Sequence, residues 1–293
     1  MKLLLTDKKQ KDLFVSLFGI LKNCSSLINA TFESDGVHIQ GMDRAHVCLF
    51  DVKLLNSWFA EYSVNQSVNI SFDSTTFHSI ISTKSEGQIL SIEHDLTNSM
   101  LRINFISETQ SASEKKQTKN KKTKTQKTNE IPKTNETPKT TEKKDNSLSD
   151  FKKFFTMPLA EYDYEEMSIP EVDYDAEFSI SAKIITDILS QLENFGEDLK
   201  VICTENDVDL MASGISGEMR VNIPSDDLTS YSIIEGETLE LSYSLTYVNK
   251  LCITNKLSQE TAFCISSERP MKIAYDLGGD STLVFYIAPK IVD

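Results

Sequence analysis

Two stretches of this chain place apolar residues at spacings of three and four, the signature of an amphipathic helix. They are Leu13, Phe14, Leu17, Phe18 and Leu21, then Ile185, Ile188, Leu189, Leu192 and Phe195. Elsewhere the pattern alternates. Val68-Asn69-Ile70-Ser71-Phe72 reads as a half-buried strand, and Leu239-Glu240-Leu241-Ser242-Tyr243 does the same 171 positions later. Asp73-Ser74 follows the first and Ser244 the second, each able to cap a short helix carrying Phe77, Ile80 and Ile81 or Tyr247, Val248 and Leu251. The turn at Ser34 to Val37 meets its counterpart at Glu205 to Val208 at the same offset. One offset holding at separate places predicts two copies of one α+β unit.

The copies are interrupted. From Glu108 to Ser147 the chain is Lys, Thr, Asn, Glu and Pro, with Ile131 its only large apolar residue. Such a segment cannot bury enough surface to offset its ordering entropy, so it is expected to be disordered. Without this insertion the repeat length falls near 130 residues. The insertion is a tolerated loop expansion, a basic arm that touches DNA, or an import patch around Lys119-Asn120-Lys121-Lys122.

Charge sharpens this. The chain carries −14 overall, which by itself argues against nucleic acid, yet the insertion holds 11 lysines against 6 acidic residues. The 39% hydrophobic and 25% charged content fits a soluble globular protein, and no apolar run approaches the length of a membrane helix. Met1 to Thr6 is too short for a signal peptide, since polar Asp7 to Lys11 follows at once. Cys24, Cys48, Cys203, Cys252 and Cys264 are widely spaced, and His38, His46, His78 and His94 are scattered, so neither a metal site nor a cofactor is expected and a reducing compartment is. With no phosphate-cradling Gly-rich loop and no carboxylate beside a His or nucleophile in a recognisable motif, an enzyme is not expected.

Four runs carry a family resemblance. Asp35-Gly36-Val37-His38-Ile39-Gln40-Gly41-Met42-Asp43-Arg44-Ala45-His46-Val47 resembles the first domain of PCNA, the eukaryotic sliding clamp. So do Ser168-Ile169-Pro170-Glu171, Leu210-Met211-Ala212-Ser213-Gly214 and Tyr286-Ile287-Ala288-Pro289-Lys290-Ile291, and the likeness covers the chain except the insertion. The resemblance implies two topologically repeated clamp domains at 1–156 and 175–293, joined by a connector over 157–174. It further implies a homotrimeric ring with helices inside and antiparallel sheets outside. Such a ring encircles duplex DNA, without reading its sequence, and tethers DNA polymerase, the clamp loader and other proteins carrying clamp-binding peptides. It acts in a nucleus or viral replication compartment. A subunit of a mixed ring and a monomeric DNA-binding accessory factor remain alternatives.

The resemblance also places sites. The trimer contact falls on edge strands Leu148 to Phe155 and Gly217 to Ile223, where Phe151, Phe154, Phe155, Met219 and Val221 would be costly to leave exposed. DNA phosphates would meet Lys8, Lys9, Lys11, Lys22, Lys84, Lys183, Lys250 and Lys256. Ser79, Ser82, Ser190, Asn194 and Thr246 stand where the family commonly places basic residues, so the inner lining is expected to be weakly positive. The partner groove takes Met42, His46, Val47, Leu49, Met167, Ile169, Pro170, Pro270, Tyr286, Ile287, Ala288 and Pro289. An acidic connector favours basic flanks on the partner peptide. The family's modifiable lysine falls at Glu205, which speaks against ubiquitin-type signalling there.

Overall fold

The structure is a computed structural model that describes residues 1–95, 98–107, 151–162, 166–170 and 172–290. The insertion expected to be disordered, the start of the first expected interface strand (148–150) and part of the connector lie outside the described residues.

The first unit runs β1 (Lys2–Leu5), α1 (Lys8–Cys24), β2 (Leu27–Phe32), β3 (Gly36–Met42), β4 (Cys48–Leu55), β5 (Glu61–Ser63), β6 (Val68–Asp73), α2 (Ser74–Ile81), β7 (Gln88–His94), β8 (Met100–Ser107) and β9 (Lys153–Pro158). The second repeats that order as β10 (Ala176–Ser181), α3 (Ala182–Leu192), β11 (Asp198–Cys203), β12 (Asp207–Gly214), β13 (Gly217–Pro224), β14 (Ser230–Ile233), β15 (Leu239–Ser244), α4 (Leu245–Leu251), β16 (Glu260–Ser266), β17 (Arg269–Gly278) and β18 (Ser281–Ile287). Strand β9 continues through Met157, which is buried.

Pairing repeats as faithfully as order. Strand β1 sits between β5 and β7 as β10 sits between β14 and β16, and β2 lies between β6 and β3 as β11 lies between β15 and β12. Strands β4 and β18 pair antiparallel from Lys53 opposite Thr282 to Cys48 opposite Ile287. That pairing fuses the two units into one nine-stranded sheet, β14-β10-β16-β17-β18-β4-β3-β2-β6. Strands β9 and β13, the repeat equivalents of β18 and β4, are sheet edges instead.

Local chemistry explains the elements. Helix α1 buries Leu13, Phe14, Leu17, Phe18 and Leu21 as its spacing predicts, and Asp7 caps it by accepting from the Gln10 N–H at 2.9 Å. Phe18 and Phe72 each bring their rings to 4.6 Å from Phe77, a cluster whose burial stabilises α1 against α2 by about 1.5–3 kcal/mol per side chain. Asp73 caps α2 through the Thr76 N–H at 2.6 Å, whereas Ser244 makes no side-chain bond at the start of α4.

Each unit locks its turn with a tyrosine. The Tyr62 O–H lies 2.6 Å from the carbonyls of Glu33 and Gly36, and Tyr231 reaches those of Thr204 and Asp207. Helix α1 packs on α2, α3 on α4, and α1 meets α4, placing the helices together against one continuous core. Trp58 Nε1–H donates to the Leu277 carbonyl at 3.0 Å, tying the units at the sheet junction.

Candidate functional site

The groove set lies where β3, β4 and β18 run side by side. Register puts Leu49 opposite both Met42 and Tyr286, and alternation turns Phe50 and Ile287 into the core. Met42, Val47, Leu49, Tyr286, Ala288 and Pro289 are half-buried, and His46, Pro170 and Pro270 are exposed. Ile287 is a correction: it is fully buried, because it sits one residue from Tyr286 and so points to the opposite face.

The loop between β3 and β4 is organised by Asp43. Its Oδ1 accepts the Val47 and Cys48 N–H groups at 2.8 and 2.7 Å, and its Oδ2 accepts the Ala45 N–H at 3.1 Å and the Tyr247 hydroxyl at 2.8 Å. Burial alone would push this carboxyl up, but these donors outweigh it and hold Asp43 below the usual range. His46 takes a positive φ of 56°, with Nδ1 3.1 Å from the Met42 sulfur. The Ala288 N–H donates to the Val47 carbonyl at 3.0 Å, fastening the C-terminal segment beside the loop.

The connector is pinned over the same sheet. Gln40 accepts the Met167 N–H at 2.8 Å and returns its own amide N–H to the Met167 carbonyl at 3.0 Å. Met167 and Ile169 are half-buried beside it. Spacing places Tyr247 on a short helix and the family-like run contains Gln40 and Asp43, but neither pattern gives these three a role here; a polar residue inside a strand pattern, as Gln40 is, is the available signal.

The interface set divides. Phe151 and Phe154 are 54% and 68% exposed, but Phe155, Met219 and Val221 pack on the chain's own core. Phe155 meets Phe105 edge-on at 5.9 Å, as its repeat equivalent Phe285 meets Tyr275 at 6.4 Å. Phe151 precedes β9 rather than belonging to it.

The lysines differ in what they can offer an anion. Lys11 is another correction: it is 3% exposed and donates to the Gln88 carbonyl, so it serves the joint between α1 and β7. Lys8 is paired with Glu86 and Lys84 with Asp12, partners that spacing did not reveal. Lys22 Nζ lies 3.2 Å from His78 Nδ1 across α1 and α2. Burial first, and then the Lys22 charge, lower the His78 pKa and favour its neutral, accepting form. Lys9, Lys183, Lys250 and Lys256 are exposed. Glu205 accepts the Gly236 N–H at 2.8 Å and belongs to its turn.

A duplicated α+β unit with a helical layer and two matching sheet edges is the architecture of a clamp subunit. Comparison agrees. Residues 4–128 match the model of the proliferating cell nuclear antigen N-terminal domain and residues 168–290 that of its C-terminal domain. A proliferating cell nuclear antigen of Chaetomium thermophilum is 22% identical over 97% of both chains. A probable DNA polymerase sliding clamp 2 of Paramecium bursaria Chlorella virus 1 is 23% identical over 94% of this chain and 87% of the relative. The chain belongs to the proliferating cell nuclear antigen family, and it is a DNA sliding clamp, not an enzyme.

Proposed function

We propose that three copies of this chain close head to tail into a ring around duplex DNA and hold replication proteins through the groove. The observation that carries the ring is the repeat itself. Inside one chain the last strand of the second unit, β18, pairs with β4 of the first. Their equivalents β9 and β13 are edges, and an edge that bears an exposed aromatic residue, as β9 bears Phe154, invites a partner strand. Repeating the internal junction between copies sets Phe155 opposite Met219 and Phe154 opposite Arg220.

The helical layer then lines the bore, where Lys9, Lys22, Lys183, Lys250 and Lys256 meet phosphates without reading bases. Because Lys8 and Lys84 already face carboxylates, fewer lysines are free to meet phosphate and the grip is weak, with a correspondingly shallow salt dependence. Partners, among them DNA polymerase and the clamp loader, insert a short helical turn with aliphatic and aromatic anchors into the groove. Acidic residues such as Glu161, Glu166 and Asp173 on the connector speed encounter with basic flanks. The site of action is a nucleus or viral replication compartment.

Sedimentation at micromolar concentration tests the ring. A trimer is expected, and a chain that stays monomeric would sink the homotrimer. A monomer that assembles only when a second clamp chain is added would establish a mixed ring instead.

A further inference from the structure

His38 sits between two carboxylates from different parts of the chain. Its Nε2 lies 2.5 Å from Asp51 Oδ1 on β4, and its Nδ1 lies 2.9 Å from Glu166 Oε1 on the connector. An ionised carboxylate only accepts hydrogen bonds, and a neutral imidazole carries one N–H. Both contacts are satisfied together only by the doubly protonated ring. Two residues along the same face of β3, Gln40 holds Met167 through two bonds that do not titrate.

We propose that His38 is a positioning residue for the partner groove, an imidazolium that ties Glu166 to Asp51 and so sets where Met167 and Ile169 stand. This rests on the reading that the connector walls the groove. Asp51 and Lys53 face the ring from β4 and Glu166 from the connector, while Glu33 and Asp35 beside the β2–β3 turn line the same cavity of about 470 Å³. Acid outnumbers base there. The bond to Asp51 raises the His38 pKa first, burial opposes it, and the charges of Asp51 and Glu166 prevail over that of Lys53.

When the ring loses a proton, the Glu166 contact is the one that breaks. Asp51 is buried and also accepts from Gln40 at 3.4 Å, whereas the Glu166 side chain is 59% exposed. The neutral ring keeps its N–H toward Asp51 and turns a lone pair toward Glu166, which repels. A raised histidine pKa means that the tie is complete below the ordinary value of about 6.5 and is lost as pH rises through the raised one.

The test uses the full-length clamp with ¹³C-methyl methionine, followed by NMR from acid to mildly alkaline pH. The His38 ring and the Met167 methyl should titrate with one shared midpoint above that of free histidine. In Glu166→Ala, an exposed substitution, the Met167 methyl should stop following the ring. A synthetic clamp-binding peptide should bind the native clamp several-fold more weakly above the midpoint than below it, and Glu166→Ala at the weaker level throughout. A His38 midpoint at or below the free value, or a Met167 methyl indifferent to it, would overturn the tie even if the peptide binds. A methyl that tracks the ring while no peptide binds at any pH would overturn the groove reading, and this role with it.

Discussion

The phenol of Tyr247, on α4 of the second unit, donates its hydroxyl to Asp43 Oδ2 of the first unit at 2.8 Å. That bond closes the donor set of a carboxylate which already caps the β3–β4 loop through three N–H groups. Tyr247→Phe should therefore lower stability by about 1.5–3 kcal/mol, the range for a hydrogen bond to a charged group. Urea unfolding at fixed protein concentration reads this as a lower midpoint with unchanged slope.

The same pair gives a pH dependence. The folded pKa of Asp43 is depressed below its unfolded value of about 3.9, so its contribution is complete above that value and fades as pH falls through the folded one. The Tyr247→Phe deficit should shrink on acidification below about pH 4. A deficit that stays constant to the acid transition would show that the phenol packs without bonding.

At the subunit edge, Phe154→Lys places a cation opposite the Arg220 expected from the next copy. Like charges directly opposite across paired strands destabilise the pair. Phe154 is 68% exposed, so the monomer should keep its thermal stability while the trimer dissociates in sedimentation. Loss of folding along with loss of assembly would argue that this side chain serves the monomer.

For DNA, Lys22→Ala should weaken binding and reduce the slope of log affinity against log salt by about 1, as expected for one phosphate contact. Lys11→Met should leave that slope alone and cost about 1.5–3 kcal/mol of stability by removing a charged donor's hydrogen bond to the Gln88 carbonyl. Equal effects on DNA binding would return Lys11 to the bore.

In the groove, two adjacent residues should behave oppositely. Tyr286→Ala should weaken a bound clamp peptide with little change in stability. Ile287→Ala, at a fully buried site, should cost about 2–5 kcal/mol and leave peptide affinity of the folded protein unchanged. Calorimetric titration beside thermal melts separates the two.

Periodicity along the chain determined much of this protein. The helical spacing at Leu13 to Leu21 and at Ile185 to Leu192, the alternation at Val68 and at Leu239, and their common offset all report which face of an element is buried, a property local to the element. They made a duplicated α+β unit legible, and motif likeness singled out Met42, Leu49 and Tyr286, which the strand register sets side by side. Tertiary structure alone decided what depended on distant partners. Whether Lys11 faced solvent or the Gln88 carbonyl, whether Lys8 and Lys84 were already paired, and whether Asp43 would meet Tyr247 turned on contacts far apart in sequence. The choice of β4 as the partner of β18, leaving β9 and β13 as edges, belongs to the same class. Strands advertise an unsatisfied edge in the same backbone groups everywhere, so only the assembled sheet reveals which edges the chain itself has used.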